Sequence, residues 1–459
     1  MTRTGVVFLA LALGGCTVGP NYVRPEVDLP KDFGVTQSAS ATDAKWWTVF
    51  RDPILDQLVS EALAANRDVR AAAQRIEQAR AQYGIARADQ IPAVGIEGER
   101  SRTRASERAG GFQLPPDAIE TNTNRLVVRA SWELDFWGKY RRASEAALAE
   151  LFAADSSRDA VRASLVADVV RTYFAVRALD RRIELVARTL EGRRKALELQ
   201  QLRYDAGVVS ELELRQVESD MRTTEALVPL ARLERTRQEG ALTVLLGRSP
   251  REIFEKRVDR GNAPVPMVVD VPEGLPSDLL LRRPDLRVAE ARLHAANARI
   301  GVARAAYFPS IKLTGFFGGE SQDLGDLFSG PARTWNFAAG FLQPLFAGSQ
   351  IRGGVELAEA RTREAVELYQ KAVAVAFREA RDAIAAQADA REAMVAQQAR
   401  ARALERTLEL ARLRYDNGAI SLFEVLETER QLILARLDAI DAERSRAAAI
   451  ADLYLALGI

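Results

Sequence analysis

The chain contains two copies of one pattern. Leu197 to Glu218 (LELQQLRYDAGVVSELELRQVE) and Leu408 to Glu429 (LELARLRYDNGAISLFEVLETE) agree at 11 of 22 positions, at an offset of 211. Asp68 to Pro92 and Asp285 to Pro309 agree at 11 of 25 positions, at an offset of 217. Self-similarity at a fixed period outweighs the soft rule that 459 residues make about three domains. The expected organisation is a first repeat over 16–245, a linking segment over 246–280 and a second repeat over 281–459.

Each repeat has the same internal order. A helical stretch ends at Pro92 or Pro309, two short alternating segments follow, and then comes a very long helix, a glycine-marked turn and a returning helix. No proline occurs from Lys139 to Val228, nor from Leu345 to the C-terminus, and Ala, Leu, Arg and Glu dominate both stretches. A helix over 139–204 would be about 100 Å long at 1.5 Å per residue. Positions stepping alternately by four and three hold Leu165, Val169, Thr172, Val176, Leu179, Ile183, Val186, Leu190, Arg193, Leu197, Gln200 and Tyr204, most of them apolar. That 3.5-residue period predicts a left-handed coiled coil. The same frame in the second repeat runs from Ala376 to Tyr415 and is rich in alanine, which lets helix backbones approach closely. Asp205 to Gly207 and Asp416 to Gly418 supply helix stops, and Ser210 and Ser421 the N-caps of the returning helices. The tips are expected at 205–209 and 416–420. Pro229 has no counterpart in the second repeat and predicts a kink.

The alternating segments are expected as strands over about 91–103, 122–136, 309–320 and 332–346. Leu126, Val128, Ala130, Trp132, Leu134 and Phe136 share one face, against Arg129, Ser131, Glu133 and Asp135. Ile311, Leu313 and Phe317 oppose Lys312 and Thr314; Trp335, Phe337, Ala339 and Phe341 oppose Asn336; Val94 and Ile96 oppose Glu97 and Glu99. Segments of about ten residues, polar on one side and apolar on the other, are the pattern of a transmembrane β-barrel. Taken singly, any one also fits a solvated sheet lying on helices. Four strands cannot close a barrel, and an open edge cannot sit in lipid with its backbone groups unpaired. The smallest barrels have about eight strands, so several chains must share one.

Composition narrows the chemistry. There are 64 basic and 63 acidic residues, so no charge field argues for nucleic acid as a partner. One His and one Cys leave no His/Cys zinc site, no Cys–His pair and no disulfide framework. No enzyme activity and no cofactor are expected. Arg outnumbers Lys by 57 to 7, a bias that reflects genomic base composition. His294 reads as a structural residue, and Trp46 and Trp47 as core.

The single Cys lies in an informative place. MTRTGVVFLALALGGC has a positive Arg3, an apolar run over Val6 to Leu13 and small residues before Cys16. That run is too short to span a bilayer, so residues 1–15 read as a signal peptide. Leu13 to Cys16 (LGGC) resembles the lipobox of bacterial lipoproteins, which implies lipidation of Cys16. Thr17 rather than Asp at the following position goes with passage to the outer membrane. The other reading is an ordinary signal peptide with an incidental Cys.

Longer motifs then speak together. GPNYVRP (Gly19 to Pro25), WWTVFRDPILDQLV (Trp46 to Val59), LDFWGKYRR (Leu134 to Arg142), RRPDLRVAEARLHAANARIGVARAAYFPSIKLTG (Arg282 to Gly315) and QPLFAGSQIRGG (Gln343 to Gly354) cover the chain. They resemble the outer-membrane factor (TolC-like) family, in its NodT-type lipoprotein branch. The resemblance implies a fold that is mainly α with a transmembrane β-barrel. In it three chains share a 12-stranded barrel and a coiled-coil α-barrel of 12 helices, with a collar from about 248–280 and the termini. It further implies a passive exit duct in the outer membrane, with a long periplasmic part. Its partners would be a periplasmic adaptor and an inner-membrane pump of the resistance-nodulation-division (RND) type, and its cargo drugs, toxic molecules or ions.

Family members close the periplasmic end with acidic rings past the tip. The matching positions here are Glu424 and Glu427, with Glu213 and Gln216 in the first repeat. Three copies of each would raise their pKa values and favour cations, while the plain alternative is a solvated helix face. Tyr204 and Tyr415 either pin the gate by hydrogen bonds or form the last coiled-coil layer. Asp205, Gly207, Asp416 and Gly418 form the tips expected to meet the adaptor. The rival functions are a protein-secretion exit duct and, from another class, a periplasmic coiled-coil scaffold without a pore.

Overall fold

The computed structural model describes residues 17–28, 45–106, 119–255, 258–260 and 282–458. The signal segment, Cys16 and most of 246–280 lie outside the described residues. In chain order, a 3₁₀ turn at Trp46–Phe50 precedes α1 (Pro53–Ala65), α2 (Arg67–Ala88), β1 (Ala93–Arg104) and β2 (Glu120–Glu133). Next come α3 (Lys139–Asp205), α4 (Glu211–Leu245) and the short α5 (Pro250–Glu255). Then follow α6 (Pro284–Ala305), β3 (Ser310–Ser321), β4 (Arg333–Leu342), α7 (Gln350–Asp416) and α8 (Leu422–Leu457).

The duplication reappears as matched element lengths. Helices α2 and α6 both have 22 residues, and β1 and β3 both have 12. Helices α3 and α7 both have 67, a span of about 100 Å. The offset falls from 217 to 211 between the first strand of each repeat and the long helix, because the second repeat reaches its long helix sooner. The chain divides into two compact units. The first unites Met1–Glu26, Arg75–Asp155 and Val288–Gln370; the second unites Val27–Gln74, Ser156–Arg287 and Lys371–Ile459.

In the first unit the strands form one antiparallel sheet of order β1-β2-β3-β4. β2 stops at Glu133, three residues short of the alternating run. The reason lies in Asp135, whose carboxylate accepts from the backbone N–H of Tyr140 (3.2 Å) and Arg141 (2.8 Å) and so starts α3. A carboxylate at a helix N-terminus satisfies donors that the helix cannot, which outweighs continued pairing. β4 likewise ends at Leu342, before Pro344, which has no N–H for a ladder. Ala146 and Ala149 of α3 pack on Ala295 and Ala298 of α6, small residues that let the two backbones approach. An N-terminal arm lies along this pair. The Val18 N–H donates to the Trp137 carbonyl (3.0 Å), Tyr22 stacks on His294 (4.7 Å between rings) and Arg24 pairs with Glu290 (2.6 Å). His294 also bonds Glu145 at 3.0 Å, so it works in packing.

In the second unit α7 follows the predicted frame closely: from Ala376 to Tyr415 every frame position is buried or half-buried. α3 follows it from Val176 to Gln200, but Val166, Val170, Tyr173 and Phe174 are buried off the frame. Here a second layer covers the outer side of the helix: Trp46, Trp47, Phe50, Leu55 and Val59 cluster with Tyr173, Leu242 and Ile450. Asp52 anchors that layer. Its carboxylate caps α1 through the Ile54 and Leu55 N–H groups, accepts from the Tyr173 hydroxyl (2.6 Å) and pairs with Arg177 (2.9 Å). Burial, and then the bond to Asp52, push the Tyr173 phenol far above its ordinary pKa. α4 runs unbroken through Pro229, where one backbone donor is missing by chemistry.

Asp52→Ala is expected to destabilise the protein by about 2–4 kcal/mol, because a cap is lost and a half-buried guanidinium and a buried phenol lose their acceptor. Asp52→Asn, which keeps an acceptor oxygen, should lose less. Denaturant unfolding of the purified protein, with hydrogen exchange in the first turn of α1, measures both.

Candidate functional site: the strand faces and the hairpin tips

Register decides what the sheet presents on each side. Ile96, Val128, Phe317 and Trp335 stand in one row across all four strands, and Val94, Ala130, Gly315 and Phe337 in the next. Trp132, Leu313 and Ala339 make a third row, and Ile311 and Phe341 a fourth. This face is open: Ile96 is 78% exposed and Phe337 76%. A contiguous apolar face of this size on an exported protein needs a non-aqueous neighbour. The opposite face is polar. Arg129 pairs with Glu97 (2.8 Å), Arg125 reaches Glu320 (3.7 Å) across the Phe316 ring (4.3 Å), and Lys312 reaches Glu133 (3.6 Å). A sheet with lipid on one side and water on the other has this distribution. Among the described residues no helix is long and apolar enough to cross a membrane, so the strands carry the membrane contact.

The tips repeat one another in their backbone hydrogen bonds. Gly207 has φ +71° and Gly418 φ +74°, the left-handed conformation that ends a helix without a Cβ clash. The Gly207 N–H donates to the Tyr204 carbonyl (2.8 Å) and the Val208 N–H to the Arg203 carbonyl (2.9 Å). The Gly418 N–H donates to the Tyr415 carbonyl (2.8 Å) and the Ala419 N–H to the Arg414 carbonyl (2.8 Å). These paired bonds satisfy the last carbonyls of α3 and α7. Asp205 and Asp416 are exposed on the turns, and Asp205 accepts from Gln201 (2.9 Å).

The candidate gate residues fall into two groups. Glu213 and Glu424 sit at the third position of α4 and α8 and close capping boxes. The Ser210 N–H donates to Glu213 Oε2 (2.8 Å), and the Ser421 N–H to Glu424 Oε1 (3.4 Å). Each therefore has a local structural task. Glu427, half-buried one turn on, bonds Arg430 (2.6 Å) and Gln431 (2.9 Å). Those two donors hold its carboxyl below the usual range within the chain, opposite to the rise that like charges on a threefold axis imply. Gln216 is half-buried. The Tyr204 and Tyr415 hydroxyls have no hydrogen-bond partner among the described residues, and Tyr204 is exposed while Tyr415 is half-buried.

Sequence reasoning missed a buried cluster further along the same hairpin. Arg193, at a seam position expected to be apolar, sends Nε to Asp220 (2.8 Å), Nη1 to the Asp220 carbonyl (2.9 Å) and bonds the Thr224 hydroxyl. Burial raises the Asp220 carboxyl, Arg193 lowers it, and Glu429 and Arg430 add smaller opposed effects. The spacing of Asp220 and Thr224, one turn apart on α4, was the available signal. A groove of about 750 Å³ opens between α3, α7 and α8. Most of its arginines are compensated: Arg181 pairs with Glu443, Arg188 with Glu184, Arg412 with Glu429 and Arg436 with Glu405. Among the described residues no cluster of His, Cys, Asp or Glu could hold a metal ion.

A sheet made for one lipid face and one wet face, joined in chain to paired helices of about 100 Å, defines a conduit through an outer membrane. The comparisons agree. The model of the family described as "Outer membrane efflux protein" matches residues 58–248 and 275–459, so the chain belongs to that family. It is 34% identical over 456 residues to the cation efflux system protein CusC of Escherichia coli (strain CFT073), covering 98% of this chain and 97% of CusC. It is 34% identical over 466 residues to the outer membrane protein OprJ of Pseudomonas aeruginosa, covering 98% and 94%. The CmeC outer membrane channel of Campylobacter jejuni superposes with TM-score 0.90 at 29% identity, covering 96% of this chain and 95% of CmeC. The protein is an outer-membrane exit duct for efflux, with long periplasmic helices.

Arg430→Ala is expected to bring the Glu427 titration back up toward the ordinary carboxylate range. With Arg430 in place the pair's stabilisation is full at neutral pH and is lost only as pH falls through the depressed folded-state value. Carboxyl-carbon NMR of the labelled protein reads the shift in sign and in residue.

Proposed function

We propose that three copies of this chain assemble into one duct, each giving its four strands to a shared barrel and its hairpins to a shared periplasmic tube. The observation that carries this is the sheet with two edges: β1 and β4 each have one neighbour within the chain. An edge left open in lipid would leave a row of backbone groups without partners, each costing several kcal/mol. Pairing β4 of one copy with β1 of the next removes every edge. Twelve strands is the closed number that the family resemblance implies.

In this reading a periplasmic adaptor meets the tips around Asp205, Gly207, Asp416 and Gly418, and an RND-type pump in the inner membrane supplies the cargo. The relatives' names range from cation efflux to toluene efflux, which favours a duct that leaves selection to the pump. Glu424 and Glu427, with Glu213 and Gln216, line the narrow periplasmic end and set a preference for cations; Tyr204 and Tyr415 pack the layer above them. Lipidation at Cys16 adds an anchor. Support for it comes from Thr17, which packs beside Gly138 at the foot of β2, next to the sheet.

Purified protein in mild detergent should run as a trimer by native mass spectrometry, and a monomer at working concentration would sink the assembly. In planar bilayers, Glu424→Ala with Glu427→Ala should raise single-channel conductance severalfold and weaken cation preference. Unchanged conductance would remove both from the gate. Cys16→Ser should abolish incorporation of labelled palmitate while leaving the purified trimer conductive.

A further inference from the structure

The apolar face of the sheet does not end in neutral residues. It runs toward the hairpin loops through the row of Gly98, Leu126, Gly319 and Arg333, and then through Arg100, Arg102 and Arg104 of β1. These three alternate along the strand, so they share the face of Val94 and Ile96 and stand about 7 Å apart. All four arginines are exposed. The strand ends at Arg104, Glu120, Ser321 and Arg333 are the ones that do not lead into a long helix, and the helices are periplasmic, so this rim faces the cell exterior.

The charge balance of the two faces differs. On the wet face Glu97, Glu99, Glu133 and Glu320 stand against Arg125, Arg129 and Lys312, and three cross-strand pairs bring them together. On the lipid face the four arginines have one acid in the strands, Glu120. It lies 2.7 Å from Arg102 and 3.0 Å from Arg104, a single carboxylate shared by two guanidiniums. Arg100 and Arg333 have no acidic partner among the described residues. A guanidinium beside hydrocarbon is tolerated only where an anion meets it, and its planar fork fits phosphate oxygens in pairs.

We infer that Arg100, Arg102, Arg104 and Arg333 form a lipid-facing rim that binds the phosphate groups of the phosphorylated glycolipid of the outer leaflet. The position fits, because these residues begin where the apolar rows stop. From the row of Ile311 and Phe341 to the row of Leu126 is about 27 Å along the strands, or roughly 20 Å upright when strands tilt as they do in such barrels. That height is close to the apolar band of a transmembrane barrel, which places the arginines at head-group level. Glu120 holds Arg102 and Arg104 in place, and the charges of Arg100 and Arg333 are the ones it does not meet.

The test uses the full-length protein in detergent with bisphosphorylated lipid A as the probe, and bound lipid is counted by native mass spectrometry. The combined variant Arg100→Ser, Arg102→Ser, Arg333→Ser should retain about tenfold less lipid A than the parent. Replacement of the same three by Lys should recover most of the binding, and Arg125→Ser on the wet face should change nothing. Retention should fall with added salt and should be weak for dephosphorylated lipid A. Equal retention by parent and Ser variant would overturn the inference, as would loss that is the same for lipid A with and without phosphate. Strong binding of phosphatidylglycerol, with lipid A ignored, would also overturn it. The Lys variant and the wet-face variant separate lost binding from lost folding.

Discussion

Lipid offers no hydrogen bonds, and the rest of the molecule follows from that. Every N–H and C=O of the strands has to be satisfied by another strand, so a chain with four strands cannot be complete by itself. The sheet ladder is continuous from β1 to β4, and its two outer edges are where another copy pairs in the proposed assembly. Duplication meets this demand economically. Each repeat brings one hairpin, and β2–β3 pairing over Asn124 to Glu133 joins the two hairpins into one sheet inside the chain. Every junction between strands is then antiparallel, whether internal or, in the proposed assembly, between copies.

The helical part obeys another economy, because water reaches it and backbone satisfaction comes from the helices themselves. What needs burying is a narrow seam. The alanine-rich frame of α7 does this with little apolar area per residue, through close approach. Cross-hairpin ion pairs such as Arg400 with Asp438 and Arg436 with Glu405 add a modest share, being largely exposed. α3 is different near its middle, where the layer of Trp46, Phe50 and Leu55 covers a second side and demands large side chains on both. Helices of equal length in the two repeats thus carry unlike sequences because their neighbours are unlike.

Sequence periodicity made most of this legible. The 3.5-residue frame located the seam, the glycine after Asp205 and Asp416 located the tips, and alternation located the apolar rows. What stayed hidden depends on partners distant in sequence. Tyr173 is buried because Asp52 lies over it, and neither the frame nor local composition contains that fact. The end of β2 was misplaced because the alternation continues past Glu133, while the backbone turns to use Asp135 as a helix start. Arg193 looked like a break in an apolar seam; it is a buried ion pair whose acid lies on the returning helix. The acidic residues past the tips were found by family resemblance, and their bonds within the chain became visible only in three dimensions.

Those bonds bear on how a gate at the tips would work. Glu424 reaches back to Ser421 and Glu213 to Ser210, so both carboxylates are tied to the first turn of their own helix. An acid used this way has less rotamer freedom than one on an open helix face, and its position is set by the backbone. Glu427 is tied too, but to Arg430, a side chain that competing charges or salt can draw away. The two tips are matched in their backbone bonds, while Pro229 occurs in only one returning helix. The helix with a missing backbone donor is the softer of the two returning helices.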